Sequence, residues 1–243
     1  MKATRHNGRS GKNGTYNPRH NDRRFNLENS EHIDVGRVRE NIYWDCYRGY
    51  TTMQSREDDD SQDISFEEIE CTFYQEHYGK YIEAQNERNA RTRHTERNRS
   101  VEDLRKNNKT CPEETIFQIG TVEESVSYEI LLAVVQDFTK QFTNRFGSHV
   151  HILDWALHLD EGTPHIHERH VFDCENKYGE ICPQQEKALG KYGRLRRTYL
   201  MQHRPVLYNT MLLSGSLYPH LMEVEQTAES QMQQTMQGLL KQN

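Results

Sequence analysis

One ten-residue string constrains this chain more than any other: His158-Leu159-Asp160-Glu161-Gly162-Thr163-Pro164-His165-Ile166-His167. Its centre, Glu-Gly-Thr-Pro, is turn chemistry. It stands between an apolar and aromatic stretch, Val150 to Asp160, and an alternating one, His165 to Asp173, so the pattern predicts a β-hairpin. Side chains two apart on a strand share a face and lie roughly 7 Å apart along it. His165 and His167 therefore point one way, and Ile166 enters the opposite, apolar layer. A chain folding back over Gly162 to Pro164 brings His158 opposite that pair and sets three imidazoles on one sheet face. Three neutral imidazoles suit a divalent metal with positions left open. Such a cation serves phosphate chemistry by neutralising charge on a non-bridging oxygen during in-line attack. Asp160 and Glu161 are placed to set the surrounding shell.

The neighbouring segments fit the same frame. Ile116 to Val122 alternates as a strand; Leu131, Val134, Phe138 and Phe142 then fall at helical spacing, and Gly147 stands where that helix stops. With the hairpin this makes β-α-β-β, the pattern of an α+β domain whose antiparallel β-sheet carries helices on one face. Ile42, Trp44 and Cys46 alternate as a further strand, and Ser65 with Glu68 forms a capping box that opens a helix over about 66–88. His149 and His151 share the parity of Leu153, Trp155 and Leu157, which assigns them to packing, and His170 has the parity of Ile166, away from the imidazoles. Arg169 shares the imidazole face, where it can meet a phosphate.

Charge is unevenly spread. The net charge is -6, yet residues 1–24 hold seven Lys or Arg against the single acid Asp22, while residues 57–70 hold eight acids. Residues 1–19, rich in Gly, Asn and Arg with no apolar period, read as a flexible basic N-terminal arm, extended or mobile, suited to phosphates. A second basic stretch runs from Arg88 to Lys109. The longest apolar run, Ile130 to Val135, is far short of the roughly 20 residues that cross a bilayer. Five cysteines without a CxxC pair indicate reduced thiols. A cytoplasmic protein with no membrane span is expected.

The string His158 to His167 resembles the third motif of the Pre/Mob plasmid mobilisation and recombination proteins, the V-type conjugative relaxases of the HUH endonuclease class. Their first motif, of His-Asn-x-Arg type, is matched by Arg19-His20-Asn21-Asp22-Arg23. The resemblance spans residues 1–189, as one relaxase-like catalytic domain. It implies nicking of one DNA strand at a plasmid or mobile-element origin of transfer, single-stranded or hairpin, with the 5′ phosphate passed to the protein. It also implies His158, His165 and His167 as metal ligands, Glu161 as the acid that orients the nucleophile, His20 as that nucleophile, and Mn2+ or Mg2+ as the metal. Imidazoles alone favour zinc, copper or nickel.

The chemistry of His20 has its own logic. A neutral imidazole is a competent nucleophile, and a carboxylate on one ring nitrogen fixes the tautomer that frees the other. Arg19, Arg23 and Arg24 would then hold flanking DNA phosphates, and Asn21 a base or the backbone. Tyrosine is the competitor: Tyr16, Tyr43, Tyr47 and the pair Tyr74 and Tyr78 are the candidates, and that last pair resembles the nucleophiles of rolling-circle initiators. Residues 190–243, with a basic knot at Lys191 to Arg197 and a Gln/Met-rich ending, depart from the family and read as a divergent, poorly ordered tail of a truncated or frame-shifted product. A non-catalytic origin-DNA-binding module is the alternative that such truncation implies.

Overall fold

A computed structural model describes residues 3–8, 10–11, 14–27, 30–58, 63–184, 190–213 and 217–240. Its strands are β1 (Ala3–Gly8), β2 (Ser10–Gly11), β3 (Gly14–Thr15), β4 (Ile42–Asp45), β5 (Gly49–Thr52), β6 (Glu113–Ile119), β7 (Val150–His158), β8 (His165–Glu175) and β9 (Ile181–Pro183). Helices α1 (Pro18–Asn21), α2 (Met53–Asp58), α3 (Phe66–Arg91), α4 (Val101–Lys106) and α5 (Tyr128–Phe146) accompany them. The sheet runs β1-β6-β8-β7-β4-β5, with β9 on β8, and its pairings are antiparallel. The chain divides into two units, Met1–Pro183 and Gln184–Asn243.

Local signals fix several boundaries. The Ser65 hydroxyl accepts the Glu68 N–H while Glu68 returns to the Ser65 backbone, so α3 starts where the capping box predicts. The other expected helix ends at Gly147, whose φ of 56° is readily adopted only without a side chain. The hairpin forms with His158 directly opposite His165.

The fold is α+β with an antiparallel sheet, as expected, but helices cover both faces rather than one. On one face α5 packs Leu131 and Val135 against Phe117, Trp155, Leu157 and Ile166. On the other α3 packs Phe73, Tyr74, Tyr78 and Ile82 against Leu153 and Val171. Adjacent residues on β8 make the two-sidedness plain: Val171 belongs to the α3 cluster, and Phe172 meets Phe142 of α5.

A bulge explains how β7 serves both layers. Ile152 pairs with His170 and Asp154 with Arg169, which leaves Leu153 as an extra residue and inverts the parity of everything before it. His151 thereby joins the α3 side, where its Nε2 lies 2.8 Å from Asp173 Oδ2 and its ring 5.2 Å from that of Phe73. It packs, as expected, but not on the face of Trp155 and Leu157.

Two expectations change at the termini. Ala3–Gly8, read as part of a flexible arm, is an edge strand whose register runs from Ala3 opposite Ile119 to Gly8 opposite Glu114. Backbone pairing at an edge requires no apolar period, so no strand signal marks these residues. The described residues of the tail form three helices, Gly190–His203, Pro205–Leu213 and Leu217–Leu240. Within this second unit Leu200, Leu217 and Leu221 are buried, and a Cβ on Gly193 would lie 2.9 Å from the Leu221 carbonyl. No helix among the described residues is long and apolar enough to cross a membrane.

Arg169 ties the sheet to α3. Its guanidinium donates to Glu70 and, at 3.3 Å, to Glu114, all three side chains being 5% exposed or less. Burial opposes its charge, and the carboxylates around it more than offset that and raise its pKa. Arg169→Ala strands two buried carboxylates and should cost about 3–5 kcal/mol of unfolding free energy in urea denaturation.

Candidate metal and nucleophile site

The sheet face below α3 gathers the histidines because strand parity and the hairpin register both direct them there. Ring centroids of His158, His165 and His167 lie 5.0 to 5.2 Å apart. His20, carried by the short helix α1, reaches the same place, 5.5 Å from His167 and 5.9 Å from His158, and stacks on Phe25. Helix α1 starts at Pro18 after Asn17, whose side chain accepts the Arg19 N–H. The Asp22 carboxylate then accepts the Phe66 N–H at 2.9 Å, joining α1 to the first turn of α3.

Each of the three hairpin imidazoles has one nitrogen turned to an outer acceptor. His158 Nε2 donates to the Asn21 carbonyl at 2.8 Å, His165 Nδ1 to the Thr163 carbonyl at 2.8 Å, and His167 Nδ1 to Glu114 Oε1 at 3.0 Å. A carbonyl oxygen can only accept, so the proton of neutral His158 and His165 sits on that outer nitrogen. Burial holds both rings below the ordinary imidazole pKa, His158 well below it. Their inner nitrogens, His158 Nδ1 and His165 Nε2, consequently face each other 3.4 Å apart as two lone pairs with no proton between them. That arrangement fits a cation. Glu161 completes it, with Oε1 4.0 Å from His158 Nδ1 and Oε2 3.8 Å from His165 Nε2. Among the described residues two groups have ligand atoms within 4.8 Å of one another: His158, Glu161 and His165, and His20, His158 and His167. Outer partners that orient metal-binding imidazoles follow this pattern.

Glu114 was not singled out in the sequence. Burial opposes its ionisation, but His167, Arg169 and Asn21 outweigh that and hold its carboxyl down at about 2. It precedes the strand that alternation predicts, Ile116 to Val122, whereas the observed strand spans Glu113–Ile119, so no local pattern marks it. Asn41 is a second omission: its amide donates to Asp160 and its carbonyl accepts the Leu159 N–H, bracing the start of the turn.

His20 is half-buried, and burial, with His167 and Arg23 nearby, lowers its pKa to about 4, so its ring is neutral near pH 7. Glu161 stands at the imidazole cluster and accepts from Arg23 at 2.7 Å. It does not bond the His20 ring, as the expected orienting acid would.

The residues expected to touch DNA divide sharply. Arg23 is buried, with Nε and Nη2 on the two oxygens of Asp160 at 2.8 and 2.7 Å, and its φ of 59° is rare for a side-chain-bearing residue. Arg169 is enclosed by Glu70 and Glu114, and the Asn21 amide donates to Glu114 at 3.0 Å. These three brace the site from inside and present no free group to a phosphate. Arg19 and Arg24 stay at the surface, paired with Glu67 and with Asp63 and Asp22. Among the tyrosines, Tyr74 and Tyr78 are buried helix-packing residues whose hydroxyls donate to the Thr110 carbonyl and Asp173. Tyr43 is buried and pushed up to about 12, mainly by burial. Tyr47 is exposed and bonded to Glu76, and Tyr16 is half-buried.

Residues 180–243 match the family of the transposon-encoded protein TnpV. No curated protein sequence matches the chain. Among solved structures, the chain is similar to the MobM relaxase domain (MOBV; Mob_Pre) bound to plasmid pMV158 oriT DNA in Mn-bound crystals. The form at pH 6.8 is 17% identical over 86% of this chain and 86% of that one, with a TM-score of 0.48. The form at pH 5.5 is 18% identical over 82% and 81%, with a TM-score of 0.47.

Two measurements probe the site. Glu114→Gln should weaken divalent-cation binding about 10- to 100-fold in titration calorimetry by loosening His167, and His165→Ala should abolish it. Asp22 is buried and its carboxyl is pushed up to about 6, chiefly by burial, against N–H bonds from Phe66 and Arg24. The folded chain therefore keeps this proton longer than the unfolded one, and stability is lost as pH rises from about 4 through 6. The melting temperature of wild type relative to Asp22→Asn should fall over that interval.

Proposed function

We propose that the first unit is a metal-dependent relaxase: it nicks one strand of plasmid or mobile-element DNA at an origin of transfer, and holds the cut end covalently for rejoining or transfer. The observation that carries this reading is the approach of His20, from a segment far away in sequence, to within 5.5 Å of His167 and 5.9 Å of His158. The motif order, His20 first and His158 to His167 later, supports it. So does the burial of Tyr43, Tyr74 and Tyr78, which removes three rival nucleophiles from solvent.

In this reading the neutral His20 ring attacks the scissile phosphorus. The N–P bond forms as the bond from phosphorus to the 3′ oxygen breaks; the ring proton passes to water and the 3′ oxygen takes one to become a hydroxyl. A P–N link keeps the free energy of the broken ester, so a 3′ hydroxyl can reverse the step and reseal a strand. A divalent cation, Mn2+ or Mg2+, would be held by His158, His165 and His167 and would neutralise charge developing on the phosphate. Glu161, beside His158 and His165 and fixed by Arg23, would hold that shell in place. Arg19 and Arg24, on the surface next to His20, would meet flanking phosphates. A mobile-element setting agrees with the transposon-encoded family matched by residues 180–243.

Supercoiled plasmid carrying the cognate origin region, incubated with Mn2+, tests the proposal. Wild type should yield relaxed product and an acid-labile protein–DNA adduct, and His20→Ala should lower the rate at least about a thousandfold while still binding the DNA. His165→Ala should fail likewise. Nicking by His20→Ala would return the nucleophile to an exposed tyrosine, and binding by wild type without nicking would favour a non-catalytic origin-binding module.

A further inference from the structure

The far end of α3 carries a cavity that this chemistry does not use. It measures about 420 Å³, within the range that holds a small ligand, and Tyr81, Gln85, Arg88, Arg91, Asn176 and Tyr178 contribute to its lining. Three features of the lining point to one kind of occupant. Tyr178 is 57% exposed on the turn after β8, where its N–H is held by the Asn176 side chain. The Arg88 guanidinium, fixed by Glu180, lies over the Tyr178 ring 4.3 Å from its centroid and Lys177 Nζ 4.9 Å from it, so a base stacks on the ring at the surface these cations leave open or by displacing one of them. Gln85 Oε1 has no hydrogen-bond partner among the described residues but is enclosed, so it accepts an N–H from the cavity once its side-chain amide turns outward.

The third feature is charge. The lining holds Arg88, paired with Glu180, and Arg91, within a stretch, residues 85–99, of five arginines against two glutamates. Arg91 is mostly exposed, and its ion pair with the similarly exposed Glu87 at 3.3 Å is of the weak kind that a phosphate displaces. A planar ring for the tyrosine, an N–H for the glutamine and an anion for the arginine are together the chemistry of a nucleotide.

We propose that this cavity binds one nucleotide of a single DNA strand, with its base stacked on Tyr178 and its phosphate at Arg91. The inference rests on the DNA-nicking reading and extends it to a second contact. Gln85 stands 19 residues beyond Phe66 on α3, roughly 30 Å at 1.5 Å per residue. The contact therefore acts on affinity for strand flanking the cut and leaves the chemical step alone.

The test is fluorescence anisotropy of the full chain with a labelled oligothymidylate of about thirty nucleotides, in EDTA so that nothing is cleaved. Tyr178→Ala should weaken binding about tenfold and Tyr178→Phe should restore it, since only stacking is kept. Arg91→Ala should lower the slope of log affinity against log salt by about one. Wild-type affinity in Tyr178→Ala, or no binding of the strand by wild type, overturns the proposal. A plasmid that is nicked normally alongside an insensitive Tyr178→Ala removes the cavity and leaves the nicking reading. Affinity that depends on Tyr178 in a protein that never nicks does the reverse.

Discussion

The site depends on two links between segments 137 residues apart: His158 Nε2 to the Asn21 carbonyl, and Arg23 to Asp160. The first determines which nitrogen of His158 carries its proton and thereby which nitrogen faces the other imidazoles. The second ties the chain just after His20 to the turn that aligns the hairpin strands, and it does so with a planar fork that matches a carboxylate at two points. Neither link is local, and both are buried. Together they hold α1 against the hairpin and so set the distance of His20 from the imidazoles.

Beneath these links lies a layer of buried charge. Glu70 faces both Arg169 and Arg105, Arg169 reaches Glu114, and Glu114 orients His167. Such a chain contributes little net stability compared with an apolar core, because every charge has lost its hydration. Its effect is geometric: each member has one arrangement in which all its partners are satisfied, so the imidazole at the end of the chain is held in one orientation. Asp154, opposite Arg169 on β7, lies outside that satisfaction. Both its oxygens lack hydrogen-bond partners among the described residues, and burial beside Glu70 raises its pKa well above the usual carboxylate range.

What the sequence made legible was local. The hairpin, the capping box at Ser65, the stop at Gly147 and the shared face of His165 and His167 each follow from neighbours a few residues apart. The bulge at Leu153 is not of that kind, since one extra residue in a strand leaves alternation intact on each side and appears only when the partner strand is counted against it. β1 was missed because its stability comes from backbone pairing with β6. The roles of Arg23 and Arg169 were misjudged for a related reason: a charged residue beside a functional motif looks the same whether its carboxylate partners come from the far side of the fold or are absent. Glu114, Glu70 and Asn41 are such partners, and no spacing rule connects them to the histidines they support.

The same burial changes what the net charge means for binding an anionic partner. Among the described residues nine acids are buried, against four arginines, so most of the formal excess of -6 lies inside the protein. Part of it is weakened further, since burial beside Glu70 raises the Asp154 pKa well above the usual carboxylate range. A phosphate approaching from water responds to exposed groups, and interior carboxylates already paired with guanidinium groups act on it only weakly. Arg19 and Arg24 beside His20, and the arginines at the end of α3, belong to that exposed set. Net charge computed from composition therefore argues against a nucleic-acid partner only until the acids are placed, and in this fold many of them serve to aim histidines.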